Sequence, residues 1–200
     1  MNKEKKELPE KETWIHTVYD FAEMLVFSIL VVFLLFMAVA RPCRVDGTSM
    51  NNTLEHGEML LISDLFYTPK QGDIVVFHQT SELELRFNEP IVKRVIATGG
   101  QYVKIDTELG KVYVSSDDTF TEDEVLKEDY VYLEGGYWKD DFGISGKVTY
   151  VPDGSVFVMG DNRNNSADSR YFIIGTVDCR RILGKVILRV TPLDKFGKVE

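Results

Sequence analysis

The feature that most constrains this chain is a run of apolar residues near its start. Residues 25–40 carry no charge, and extending the run back through Glu23 to Val18 gives 23 residues. As a helix that run would rise roughly 34 Å, enough to cross the hydrocarbon of a bilayer. In lipid each backbone N–H and C=O must be bonded internally, so a single spanning segment has to be helical. Glu23 would snorkel toward the near headgroups, and Trp14 and Tyr19 suit the interfacial belt. Residues 1–17 then read as a cytosolic tail, 18–40 as a transmembrane anchor and 41–200 as an extracytoplasmic body. Ala38-Val39-Ala40 has the shape of a signal-peptide cleavage site, yet the apolar run outlasts the ~7 to 15 residues of a cleavable signal, so the segment reads as an uncleaved anchor. Lys3, Lys5, Lys6 and Lys11 on one side, against Arg41 and Arg44 on the other, place the N-terminus in the cytoplasm.

Beyond the anchor the sequence is punctuated for strands. Residues 59–62, 74–77, 91–98, 102–105, 111–115, 148–151, 155–159 and 182–190 are rich in β-branched and aromatic side chains and bounded by Gly or Asp. One short helix is expected within 121–129, where Thr121 precedes Glu124 in capping-box spacing. The fold class that follows is mainly β, with one transmembrane α-helix in front of it. A net charge of −9 excludes a nucleic-acid binder, which needs excess Lys and Arg on some face. That charge is concentrated. Residues 106–141 hold twelve acidic and three basic residues, so this window alone carries the net charge of the whole chain. It reads as a solvated acidic insertion, and about 100–150 reads as an inserted subdomain. Cys43 and Cys179 are too few for a disulfide framework or a zinc site, and each reads as a small buried hydrophobe, with a bridge between them left open. No metal and no cofactor is implied.

Three stretches carry chemistry. The first is Val45-Asp46-Gly47-Thr48-Ser49-Met50-Asn51-Asn52-Thr53-Leu54, a small flexible turn leading to a hydroxyl. A serine needs a base to take its proton and donors to receive an oxyanion. The second is Pro90-Ile91-Val92-Lys93-Arg94-Val95-Ile96. Strand alternation puts Lys93 on one face with Ile91 and Val95, an apolar setting that depresses a lysine pKa and makes the amine a usable base. The third, Met159-Gly160-Asp161-Asn162-Arg163-Asn164-Asn165-Ser166-Ala167-Asp168-Ser169-Arg170, follows a buried strand as a polar loop.

In this order, and behind one apolar anchor, the three stretches resemble the bacterial type I signal peptidases, membrane-bound serine proteases with a Ser-Lys dyad. The resemblance implies a signal-peptidase-like β catalytic body. It also implies that Ser49 is the nucleophile and Lys93 the general base, working through an acyl-enzyme. Ser166 would orient the Lys93 amine, and Asp168 and Arg170 would pair to hold the loop. Gly72-Asp73-Ile74-Val75-Val76-Phe77 matches a scaffold strand of the family. Val45, Met50, Leu54 and Val92 stand where the family's shallow pockets admit small residues at the first and third positions before the cut. The implied partners are signal-peptide-bearing preproteins and the lipid bilayer, and the implied state is a monomer in a bacterial cell membrane. Two positions depart from the usual pattern. Asn52 stands where many members have proline, and Gly47 stands where some have a serine that serves the oxyanion hole, leaving the Ser49 N–H with a second donor from backbone or Thr48.

Two other readings compete. A Ser-His-Asp hydrolase would use His56 or His78 as base. A non-catalytic, membrane-tethered β-domain related to the same family would need neither Ser49 nor Lys93.

Overall fold

The computed structural model describes residues 10–79, 89–140 and 142–199. Two compact units result, Met1–Ala40 and Arg41–Glu200. The first contains one helix, α1 (Glu10–Val39), whose stretch Trp14–Leu34 is long and apolar enough to cross a membrane. Its side chains there are exposed. The helix begins well inside the expected 1–17 tail. Glu and Lys are good helix formers, so the charged residues ahead of Trp14 extend the helix instead of fraying. Residues 1–9 of that tail lie outside the described residues.

The second unit is built on strands β1 (Arg41–Arg44), β2 (Met59–Ser63), β3 (Ile74–His78), β4 (Pro90–Thr98), β5 (Tyr102–Asp106), β6 (Lys111–Ser115), β7 (Val148–Tyr150), β8 (Ser155–Met159), β9 (Val177–Asp178) and β10 (Ile182–Thr191). Seven of them form one sheet in the order β1-β2-β10-β3-β4-β8-β9, and the other three form a small sheet, β6-β5-β7. The ladders are antiparallel. All eight expected strands are present, to within two residues at their ends. β1 and β9 were not expected. Arg41-Pro42-Cys43-Arg44 is exposed at three of four positions and has no apolar alternation to announce it. The expected helix in 121–129 is one 3₁₀ turn, Glu122–Glu124. Its capping box forms, with Thr121 N–H on Glu124 Oε2 at 2.9 Å, but the chain is extended again at Val125 and bridges to Tyr113.

Burial explains the layout. β3 reads Ile-Val-Val-Phe-His and is buried through its first four residues, because both of its faces are covered. One face contributes Ile74 and Val76 to a cluster with Val45, Met50, Leu54, Leu60, Ile62, Val92 and Val186. Val75 and Phe77 join Val95, Val156, Val158, Ile174 and Val177 on the other. The small sheet shares a core with the large one. Val103, Ile105 and Val112 pack with Ile96, Phe157 and Met159 of the large sheet, and Trp138 and Val151 complete that cluster. The segment around 100–150 is therefore sewn into the catalytic body through shared core. Cys43 and Cys179 are both free thiols and pack against different clusters.

Candidate active site

The turn carrying Ser49 is fixed from both sides. Val45 donates to Glu58 O and accepts from Gly57 N, each at 2.9 Å, which closes the base of the excursion between β1 and β2. Gly47 sits at φ +90°, a left-handed conformation that a side chain would strain. Its N–H bonds His56 Nδ1 at 3.2 Å. Beyond Ser49, Asn51 N bonds Thr48 O and Leu54 N bonds Met50 O. Met50 and Leu54, 1% and 0% exposed, peg the turn into the core beneath it.

β4 brings Lys93 to this turn. Paired with Val75 of β3 and 3% exposed, Lys93 places Nζ 2.7 Å from Ser49 Oγ and 2.9 Å from the Val92 carbonyl. Burial pulls its pKa down to about 8. The Asp168 carboxylate opposes that shift and the Arg170 guanidinium reinforces it. An amine that loses its proton this readily, at hydrogen-bond distance from a hydroxyl, can accept the hydroxyl proton near neutral pH.

The loop after β8 closes the third side. Asp168, with no exposed surface, accepts from Arg170 Nε at 2.7 Å and Nη2 at 2.8 Å, from Gly160 N at 2.9 Å and from Ser166 Oγ at 2.7 Å. Burial works against the carboxylate's charge, but the paired guanidinium and these hydrogen bonds outweigh it and hold its pKa below the usual range. The expected Asp168–Arg170 pair is thus formed. Ser166 differs from expectation. Its hydroxyl is spent on Asp168, and among the described residues the Lys93 amine bonds only Ser49 and Val92 O. A buried carboxylate is a stronger acceptor for that proton than a neutral amine, so the Ser166 hydroxyl donates to Asp168. Gly160 has no room for a side chain. A Cβ there would come within 2.3 Å of Ser166 Oγ and 2.5 Å of Ser49 O.

The family model described as signal peptidase, peptidase S26, matches residues 18–191. This chain belongs to that family. A probable signal peptidase I-1 of Synechocystis is 33% identical over 182 residues, covering 88% of this chain and 84% of its own. Signal peptidase IB of Staphylococcus aureus is 30% identical, covering 86% and 90%. A solved signal peptidase I from Enterococcus faecalis aligns at 27% identity over 60% of this chain and 97% of its own, with a TM-score of 0.42. The protein is accordingly a serine endopeptidase of the signal-peptide-processing class, mainly β behind an N-terminal apolar helix.

Within this signal peptidase, a cavity of about 180 Å³ opens beside Ser49 and Lys93. Val45, Val92, Cys43, Leu60 and Val76 are among its lining residues. Of the four expected pocket residues, Val45 and Val92 reach the cavity, whereas Met50 and Leu54 are sealed below it as core, because the turn needs two apolar pegs to hold its shape. β8 pairs with β4 from Arg94 onward, so among the described residues the segment of β4 before Lys93 has β3 on one side and no strand on the other. His56, the base of the competing Ser-His-Asp reading, is exposed and occupied by Gly47, while Ser49 Oγ bonds Lys93.

Sequence reasoning missed two buried ion pairs, Arg94–Asp161 and Arg163–Glu128. Arg94 gave the same signal as its neighbour Lys93, a cation in an apolar strand. Glu128 gave none, being one of twelve acids in its window.

Proposed function

We propose that Ser49 and Lys93 are the catalytic dyad of a membrane-tethered endopeptidase that removes signal peptides from exported preproteins after a small-x-small motif. The observation that carries this reading is the 2.7 Å approach of the buried Lys93 amine to the Ser49 hydroxyl. In the free-amine state Nζ takes the hydroxyl proton as Oγ attacks the scissile carbonyl. The new ammonium returns that proton to the leaving amine, and an acyl-enzyme on Ser49 remains. Water, deprotonated by the same amine, then releases the cleaved signal peptide.

The oxyanion is received by the Ser49 N–H, which has no partner among the described residues. Thr48 is the second donor. Its Oγ1 already accepts from Asn165 Nδ2 at 2.8 Å, which leaves the hydroxyl proton to give. An extended substrate adds along the part of β4 that β8 does not pair, and the narrow cavity at Val45 and Val92 admits small side chains. The apolar helix holds the enzyme in the membrane its substrates cross, which raises their effective concentration.

The test is to incubate the purified protein with a preprotein whose signal ends in Ala-x-Ala and to sequence the new N-terminus. Ser49→Ala and Lys93→Met should each abolish the cut. The double variant should lose little more, since groups acting as one unit are non-additive. A cut at the same bond by either single variant, at the parent rate, would remove the dyad from the reading.

A further inference from the structure

The strongest unassigned arrangement lies in the acidic segment. Residues 160–163, the loop that leaves β8, lie between two partners. On one side Asn162 N bonds Ser49 O at 3.0 Å and Asn162 Nδ2 bonds Thr48 O at 3.2 Å. On the other, Tyr132 N bonds Asp161 O at 2.9 Å and Arg163 N bonds Tyr132 O at 3.1 Å, a parallel bridge of Tyr132 with Asn162. The same loop thus bonds Tyr132 on one side and Ser49 on the other.

The segment 128–139 grips that loop with side chains as well. Glu128 takes Arg163 in a two-point pair, Oε2 from Nη1 at 3.0 Å and Oε1 from Nη2 at 2.5 Å, with the two side chains 8% and 0% exposed. Arg163 Nε reaches on to Gly160 O at 3.0 Å, the residue whose Cα lies against Ser166 and Ser49. Trp138 stands under both Arg163 and Arg170, 5.1 and 5.7 Å from ring centroid to guanidinium carbon. Tyr130 donates to Glu128 at 2.9 Å while its ring lies 3.8 Å from the Arg94 guanidinium carbon. At the rim Asn164 donates to Glu134 O and Tyr137 O and accepts from Lys139 N. A solvated acidic surface would leave its carboxylates in water. Glu128 is instead turned inward onto the loop that touches Ser49.

We infer that the segment 128–139 is a strap that sets the position of the Ser49 turn, with Glu128 as its positioning residue acting through Arg163 and Gly160. The Glu128 carboxylate fixes Arg163, Arg163 fixes the carbonyl of Gly160, and Asn162 in the same loop holds the Thr48 and Ser49 carbonyls. Loosening the strap lengthens the Nζ to Oγ contact and lets water reach the Lys93 amine. Substrate binds at the cavity beside Val45 and Val92, which no strap residue lines, and is left alone. The inference rests on the reading of Ser49 and Lys93 as the dyad.

The experiment compares Glu128→Gln, Asn164→Ala and Ser49→Ala with the parent, all full length, cleaving a soluble peptide that carries an Ala-x-Ala site. In Glu128→Gln, kcat should fall about tenfold or more while KM stays within about twofold, the pattern of a displaced reacting group. The acid limb of its kcat/KM profile should move to higher pH, since hydration undoes the desolvation that depresses the Lys93 pKa. Asn164→Ala, at the exposed rim, should remain folded and show the same pattern at about a threefold loss of kcat. A folded Glu128→Gln with unchanged kcat, or with lower kcat and an unmoved acid limb, overturns the strap. If Glu128→Gln does not fold, an unchanged kcat in Asn164→Ala overturns it. Ser49→Ala separates the two readings, because its inactivity preserves the dyad even where the strap fails, and its activity removes the dyad itself.

Discussion

Arg94 meets Asp161 along a full guanidinium edge, Nε on Oδ1 at 2.9 Å and Nη2 on Oδ2 at 2.8 Å, one residue from Lys93 on β4 and one residue from Gly160 in the loop after β8. Its third nitrogen bonds Gly72 O at 3.0 Å, and Thr53 donates to the same carboxylate. Both side chains are buried, so each charge is tolerable only because of the other. Asp161→Asn should therefore destabilise the fold by about 3 to 5 kcal/mol, and Arg94→Lys should not be conservative, since an ammonium cannot span both oxygens. Urea denaturation of the variants checks both.

The depressed Lys93 pKa fixes a pH dependence with two signs. Activity needs the free amine, so kcat/KM should rise with pH through an acid limb near 8. Stability follows the opposite cost. The folded state holds the ammonium more weakly than the unfolded chain, so the penalty is complete below about pH 8 and fades as pH climbs toward the ordinary lysine value of ~10.4. Lys93→Met should accordingly be inactive and more stable at pH 7, by about 3 kcal/mol, with the gain shrinking by pH 10. Melting curves at the two pH values measure the difference.

Gly160→Ala should reduce cleavage by about a hundredfold or more, because its new methyl must displace Ser166 or the Ser49 carbonyl. Steady-state kinetics on a peptide substrate should place the loss in kcat. An equal loss assigned to KM would mean the displaced element is the binding cavity.

Thr48→Val removes the proposed second oxyanion donor while keeping the shape of the side chain. A loss of about 10²-fold in kcat is expected, the ordinary cost of one such donor. Thr48→Ser should recover most of the rate. Activity in Thr48→Val within a few fold of the parent would move the second donor to the backbone.

The strands were legible because β-branched runs between glycines have few other uses, and the Lys93 environment was legible because alternation on β4 puts apolar side chains around it. Ser49, Lys93, Asp168 and Arg170 come together where the sequence motifs placed them, whereas their chemical roles rest on the proposal. The pocket residues were half legible. A buried peg and a pocket wall have the same composition, and the backbone alone decides that Met50 points under the turn while Val45 borders the cavity. The strap could not be read at all. Nothing local distinguishes Glu128 from Asp129, and only a partner 35 positions away turns one of them inward.

The strand order β1-β2-β10-β3-β4-β8-β9 also sets a schedule for the enzyme's birth. Ser49 leaves the ribosome early, on the excursion before β2, and Lys93 follows on β4. The two sit on ribbons that are joined by β10, which bonds β2 on one edge and β3 on the other and ends at Thr191. Until that strand is inserted the sheet stays open between the nucleophile's ribbon and the base's. A working centre therefore waits for a strand that follows both Ser49 and Lys93 in the chain.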